Sequence, residues 1–408
     1  MKLWRIGNQE PGWQMKVGDK SPKSKPLCPS FARIFTAFLR LGATSFGGPA
    51  MIAYIRRMAV EQSRWLDDAT FHDGVALCQT VPGATAMQVA AYVGLRVRGV
   101  SGAACAYIGF ALPAFLIMMA FSAFYVQTQA MPTSIAAFSG LRAIIVAMIV
   151  NSAITFGQNY LKHGRDMTIT AFAAVAFAFG MNPILVILLA AMAGLIAFRD
   201  VKLPIKPYLQ TNIPSTFRPL LMISSCAAAV FALLFAFHRD LFDLAALMFR
   251  IDLFAFGGGF ASIPLMLHEF VDVRSWMDSQ TFMNGIALGQ VTPGPIVITA
   301  TFVGYMLYGP VGGIVATFGI FLPSFLVLIA AVPYYDRLSR SVWFNRAVGG
   351  IFCSFVGLLA SAAFHFAQDM PWDIPRALLA LAAIAALLKK VDIMWVVLIG
   401  IGVSVLML

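Results

Sequence analysis

Gln79-Thr80-Val81-Pro82-Gly83-Ala84 returns 211 positions later as Gln290-Val291-Thr292-Pro293-Gly294-Pro295, and this recurrence governs the reading of the whole chain. The same separation carries Phe71, Gly74, Ala76 and Leu77 onto Phe282, Gly285, Ala287 and Leu288. Upstream, Arg40, Phe46, Gly47 and Gly48 recur 210 positions on as Arg250, Phe256, Gly257 and Gly258; downstream, Gly94, Gly99, Gly109, Leu112, Pro113 and Phe115 recur as Gly304, Gly309, Gly319, Leu322, Pro323 and Phe325. Apolar composition alone would align mainly Leu, Ala and Val. Matches of Gly, Pro and Gln in register signify a duplicated unit. The repeats cover residues 31–198 and 241–408, with a polar stretch at 1–30, a polar linker at 199–218 and an extra apolar segment at 219–238.

Hydrophobic types make up 60% of the 408 residues and charged types 12%, with a mean hydropathy of +0.82. A water-soluble fold holds roughly half apolar residues. Stretches such as 100–126 and 219–238 meet the need of a spanning helix for about 20 apolar residues. The sequence therefore predicts an all-α polytopic membrane protein. Residues 1–30 carry Lys2, Arg5, Lys16, Lys20, Lys23 and Lys25 without a signal-type apolar core, and read as a cytosolic tail. A formal charge of +11 raises the question of nucleic acid. The basic residues are dispersed over short loops and form no stripe with aromatics, which points to membrane topology instead. Five separated cysteines, no HExxH, no GKS and no GxSxG leave no basis for a metal site, a cofactor or an enzyme.

An unpaired span between two halves with even numbers of crossings inserts the second half upside down, giving an inverted repeat with broken or re-entrant helices. Loop charge agrees, because Lys and Arg gather on the cytoplasmic side. Arg96, Arg98, Lys162 and Arg165 have uncharged or acidic counterparts at 306–308 and 368–373, whereas the uncharged loop 127–134 corresponds to one holding Arg337, Arg340 and Arg346. The N-terminus is thus expected inside and the C-terminus outside. The number of spans stays open. Single crossings by 31–55 and 71–95 give thirteen; folding back at Gly47-Gly48-Pro49 and Pro82-Gly83 gives about nine and returns Arg56, Arg57 and Arg64 to the inside.

The chemistry lies at the breaks. Gly and Pro interrupt helices, and an interrupted helix in hydrocarbon is tolerated only where protein or a watery cavity satisfies its backbone. A half-helix starting there presents unpaired N–H groups to an anion. The candidate residues are Ser45, Gly47 and Gly48 with Gln79, Thr80, Pro82 and Gly83 in half one, and Gly257 and Gly258 with Gln290, Thr292, Pro293 and Gly294 in half two. The bland alternative is that small residues serve close helix packing. Arg40 and Arg250, seven residues before Gly47 and Gly257, either attract the anion with their guanidinium forks or snorkel to headgroups. Asp252, where half one has Gly42, is either an ion-pair partner of Arg250 or a proton-coupling carboxylate. Glu269 and Asp73 sit nearer segment ends. Arg142, matched by Phe352, either lines a pathway or caps a helix near the surface.

Phe38-Leu39-Arg40-Leu41-Gly42 through Phe46-Gly47-Gly48-Pro49, with Gln79-Thr80-Val81-Pro82-Gly83 and the second-half copies, resembles the chromate ion transporter family in its two-domain form. The resemblance covers nearly all of the chain after residue 30. It implies a multi-pass protein of the prokaryotic inner membrane that exports chromate, an analogue of sulfate, at the expense of the proton motive force. Two departures stand out: Gly259 replaces the more usual Pro49, and Asp252 replaces Gly42. The halves are therefore not equivalent. Transport of sulfate or another anion, and an anion channel, are the competing readings; lipid is the expected surroundings, and the oligomeric state stays open.

Overall fold

The computed structural model describes residues 29–46, 48–199 and 216–407. The N-terminal tail, Gly47 and most of the 199–218 linker lie outside the described residues. Half one comprises α1 (Phe31–Thr44), α2 (Gly48–Arg56) running into a π-helical turn (Arg57–Gln62), α3 (Asp68–Thr80), α4 (Thr85–Thr128), α5 (Pro132–Tyr160), α6 (Gly164–Ala178) and α7 (Pro183–Ala197). After α8 (Phe217–Phe237), the series repeats as α9 (Arg239–Phe254), α10 (Ser262–Leu267) with its π-turn (His268–Val273), α11 (Ser279–Val291), α12 (Thr299–Ala331), a short α13 (Tyr335–Arg340), α14 (Val342–Gln368), α15 (Ile374–Leu388) and α16 (Ile393–Met407). No strand occurs among the described residues.

Each repeat turns on its glycines. Arg98 and Gly99 leave helical geometry inside α4, Gly99 at φ +65°, and Tyr308 with Gly309 do so in α12, Gly309 at φ +62°. This is the left-handed region that glycine enters without steric cost. The chain doubles back there so tightly that a Cβ on Gly94 would lie 2.2 Å from the Gly102 carbonyl, and one on Gly304 2.2 Å from that of Gly312. Each long helix is thus a short limb followed by a long spanning limb.

The short limbs are re-entrant. Tyr92 donates to the Thr70 carbonyl at 3.3 Å, and its ring fills the space beside Gly74, so residues 85–97 run antiparallel to α3. A limb of 13 residues (α3) reaches about 20 Å, short of a hydrocarbon core of about 30 Å. It turns at Pro82-Gly83 and leaves by the face it entered. The α1–α2 segment behaves alike: Arg98 stacks over Phe31 at 4.5 Å, Arg56 pairs with Asp68 at 2.7 Å, and Arg96 acts on Asp67. Both ends of both hairpins therefore gather at one face. Five helices among the described residues are long and apolar enough to cross a membrane by themselves; if the shorter pairs α6–α7 and α15–α16 also cross, the folded-back hairpins correspond to the arrangement with about nine spans.

Equivalent helices run in opposite directions. Tyr107 on α4 donates to Phe321 on α12 at 2.7 Å, while Met119, farther along α4, lies against Gly313, earlier on α12. Tyr160 stacks on Phe352 at 4.4 Å, and Gly157 meets Val356, which makes α5 antiparallel to α14. Half two is inverted. Its hairpin enters from the face where α4 ends, as the 3.0 Å bond from Asn284 to Tyr125 records. The halves also exchange partners, α5 packing on α15 and α16, and α14 on α6 and α7. Gly350 fits against the Ala190 carbonyl and Gly357 against that of Thr170, where any larger residue would separate the helices.

The face where the half-one hairpins end carries Arg56, Arg96 and Arg98 together with Glu61, Asp67 and Asp68; the opposite face carries Asp272 and Asp373 together with Arg274 and Arg376. A topology reporter fused after Arg57 is expected on the same side as one after Arg340, and opposite to one after Gln129. A reporter after Arg57 that shares the side of Gln129 would remove the hairpin and restore the larger span count.

Candidate anion site at the junction of four broken helices

The two halves complete each other at their breaks. Gly83 N–H donates to the Ala255 carbonyl at 2.9 Å, and Gly294 N–H donates to the Ser45 carbonyl at 3.0 Å. These are the same bond twice, related by the repeat. Each Pro-Gly tip of one half is thereby seated on the Phe-Gly-Gly break of the other, satisfying groups that hydrocarbon cannot. Gly83 at φ +117° and Gly294 at φ +118°, with Gly257 at +93° and Gly258 at +97°, occupy conformations that only glycine takes readily.

α2 begins at Gly48, after the Ser45 that accepts from Gly294, and three further helical segments begin at the junction itself: α4 at Thr85, a 3-10 turn at Gly259 that continues into α10, and another at Ile296 that continues into α12. The last three begin without a side-chain cap. A Cβ on Gly258 would lie 3.3 Å from the Thr85 hydroxyl, and one on Gly259 would lie 3.5 Å from the Val297 nitrogen. Helix starts of both halves thus converge. Ser45 is buried with its hydroxyl unpartnered, and the Gln290 amide nitrogen is buried without an acceptor. Free donors and positive helix ends in one place form the environment an oxyanion requires.

The remaining sequence candidates distribute unevenly. Pro82, Gly83, Gly257, Gly258, Pro293 and Gly294 form the junction, Gly48 starts α2, and Gln79 is half-buried on the last turn of α3. Gly47 lies outside the described residues. Thr80 and Thr292 each spend the hydroxyl proton on their own helix, on Leu77 and Leu288 at 2.8 Å. Arg40 is exposed on α1. Arg250 pairs with Glu269, a buried carboxylate that Arg274 also approaches at 3.7 Å, so Glu269 and not Asp252 is its counter-ion. Positions two apart on a helix face different ways. Arg142 is buried on α5 and bonds Gln280 and the Phe138 carbonyl, tying α5 to the start of α11.

Asp252 is fully buried and turns instead to α12, accepting from Ser324 N–H at 2.8 Å and from the Ser324 hydroxyl at 2.6 Å. That hydroxyl in turn accepts from Ala84 N–H at 2.9 Å. Gln88 donates to the carbonyls of Pro82 at 2.6 Å and Ser324 at 3.3 Å. Ser324, Gln88 and Tyr107 went unnoticed in the sequence. Ser324 was detectable, since it follows the repeated Leu-Pro pair where half one has Ala114, and Gln88 is an amide inside an apolar run.

An inverted repeat of broken helices, with its breaks interlocked at the core of a spanning bundle, defines a membrane transporter. The model of the chromate transporter family matches residues 32–195 and 242–405, and the chain belongs to that family. It is 39% identical over 398 residues to an uncharacterised transporter of Methanocaldococcus jannaschii, covering 96% of this chain and 98% of the relative. It is 30% identical over 397 residues to a chromate transport protein of Pseudomonas aeruginosa, covering 93% and 92%, and 30% identical over 354 residues to one of Cupriavidus metallidurans, covering 86% of each. Its relatives are named as transporters, and the chain is a transporter rather than an enzyme. No solved structure matches it.

The tip packing is testable through stability. A Cβ on Gly83 would fall 2.2 Å from the Ser324 hydroxyl at a φ that resists side chains, whereas one on Gly164 meets nothing within 4 Å. Gly83→Ala is expected to destabilise by about 2–4 kcal/mol from overpacking and backbone strain combined. Gly164→Ala is expected to leave thermal unfolding in detergent unchanged; equal behaviour of the two variants would mean that the tip is not closely packed.

Proposed function

We propose that the protein carries chromate, a tetrahedral dianion of the sulfate type, out of the cytoplasm across the prokaryotic inner membrane, driven by the proton motive force. The observation that carries this reading is the convergence of the helix starts at Thr85, Gly259 and Ile296 on one junction between inverted halves. A helix N-terminus is worth about half a positive charge, so three of them offset roughly one and a half of the two charges of such an anion, and the Ser45 hydroxyl and Gln290 amide add neutral donors. They do so without fixed cations, which would hold the ion too tightly for release. Sites near the midplane formed by discontinuous helices are a recurrent carrier arrangement.

On this reading Ser45, Gly48, Gly83, Gly257, Gly258, Gln290 and Gly294 bind the anion, with Gln79 beside them and Arg40 and Arg250 as entry charges. The curated relatives named as chromate transport proteins support the choice of anion. On this reading the face bearing Arg56, Arg96 and Arg98 is the cytoplasmic one, since Lys and Arg gather in cytoplasmic loops. The direct bonds between tips and opposite breaks favour a carrier that must move over a continuously open channel.

Everted membrane vesicles loaded with protein should accumulate radiolabelled chromate under an imposed proton gradient, lose it on addition of a protonophore, and show competition by sulfate. Gly257→Leu, whose side chain would run into Phe156, should abolish accumulation, while Gly402→Leu, with nothing within 4 Å, should not. Normal transport by a folded Gly257→Leu protein would reduce the break to a packing contact, and conductance indifferent to the protonophore would make the protein a channel.

A further inference from the structure

The scaffold is symmetric, but its two tips are not held alike. In half one, Ala84 N–H is anchored through Ser324 to the buried carboxylate of Asp252. At the equivalent place in half two, Pro295 has no N–H to give, Ala114 stands for Ser324 and Gly42 for Asp252. There the tip glycine, Gly294, simply packs on the Ala114 methyl. Only one of two equivalent gates therefore contains an ionisable anchor.

The anchor is also short of donors. Asp252 Oδ1 and Gln88 Oε1 are both buried without a hydrogen-bond partner, and both side chains flank Ser324. Among the described residues no Lys or Arg pairs with the carboxylate. Tyr107 on α4 is the titratable group that faces it, and its hydroxyl proton is given to Phe321. Arg250 and Glu269 bond each other, α10 carries no titratable residue, and α8 and α12 carry Arg218, Cys226, Tyr305 and Tyr308.

We propose that Asp252, Ser324 and Gln88 form a proton-operated latch on the Pro82-Gly83 tip, and that this latch couples the proton to anion movement. The inference rests on the chromate reading above and deepens it. When Asp252 is ionised, it holds Ser324 by two charge-assisted bonds, which are roughly twice as strong as neutral ones, and Ser324 holds Ala84. Binding of one proton at Oδ1 converts the carboxylate to the acid, supplies the missing donor and weakens the grip on Ser324. The tip of half one is then released while that of half two is unaffected. Loss of the proton to the opposite side restores the latch, so one proton is exchanged per cycle with no other bond made or broken. Asp252 acts through Ser324 and Ala84 and is a positioning residue.

Two variants separate this role from simple support. Asp252→Asn keeps an acceptor for Ser324 and fixes the neutral form. Ala84→Pro removes the anchored N–H and sets the ring Cδ where it pointed, so that Ser324 must turn away from the tip; Ala84 sits at φ −71°, which proline adopts, and its counterpart Pro295 sits at φ −74°. In proteoliposomes, wild-type protein should show chromate exchange whose rate varies with pH, together with accumulation driven by a pH gradient. Both variants should show exchange that persists but no longer varies with pH, with loss of gradient-driven accumulation. Wild-type accumulation and pH profile in folded Asp252→Asn protein would overturn the latch, as would a wild-type profile in Ala84→Pro, which would mean that the tip is not the element the proton moves. Absence of chromate exchange in the wild-type protein would instead overturn the transport reading itself.

Discussion

A backbone amide left unpaired in hydrocarbon costs several kcal/mol, and this protein interrupts its helices at four places inside the bundle. The reciprocal bonds from Gly83 to Ala255 and from Gly294 to Ser45 resolve the conflict in part, because each half supplies the acceptor that the break in the other half needs. Neither half can close its own breaks. The exchange of α5 and α14 between halves serves the same end, locking together two units whose tips must meet. What these bonds leave free, the N–H groups at the starts of the half-helices, is what the proposed anion site draws on.

Symmetry and its violation divide the labour. The repeated Gly and Pro positions build two equivalent hairpins from opposite faces, and their inversion brings like helix ends together. Asp252, Ser324 and Gln88 then break the equivalence at one tip only. On the proposed reading, that one-sided anchor gives the scaffold a direction that the symmetric fold alone would not.

Much was legible in the linear sequence. Duplication, the all-helical membrane class, the inversion and the helix breaks at Gly83, Gly258 and Gly294 followed from residues whose backbone demands are local: glycine where φ is positive, proline where a helix must break, arginine where water is near. These properties depend on neighbours in the chain and on solvent, so spacing and composition expose them. Whether the breaks fold back or pass through is not legible there, because the stretches 31–55 and 71–95 are each long enough to cross once if the break is passed over.

Tertiary structure decided the pairings. Arg250 and Asp252 are two residues apart, yet one meets Glu269 and the other Ser324, 72 positions away. Gln88 looks like any amide in an apolar run until Pro82 and Ser324 close around it, and Thr80 looks like a free donor until its hydroxyl turns back on Leu77. Sequence by itself determined that the helices break and that two inverted halves carry the breaks, since glycine and proline act through the local backbone. Which groups meet across the breaks was fixed only by the antiparallel crossing of α4 with α12, because hydrogen bonds and burial depend on distance in space and not along the chain.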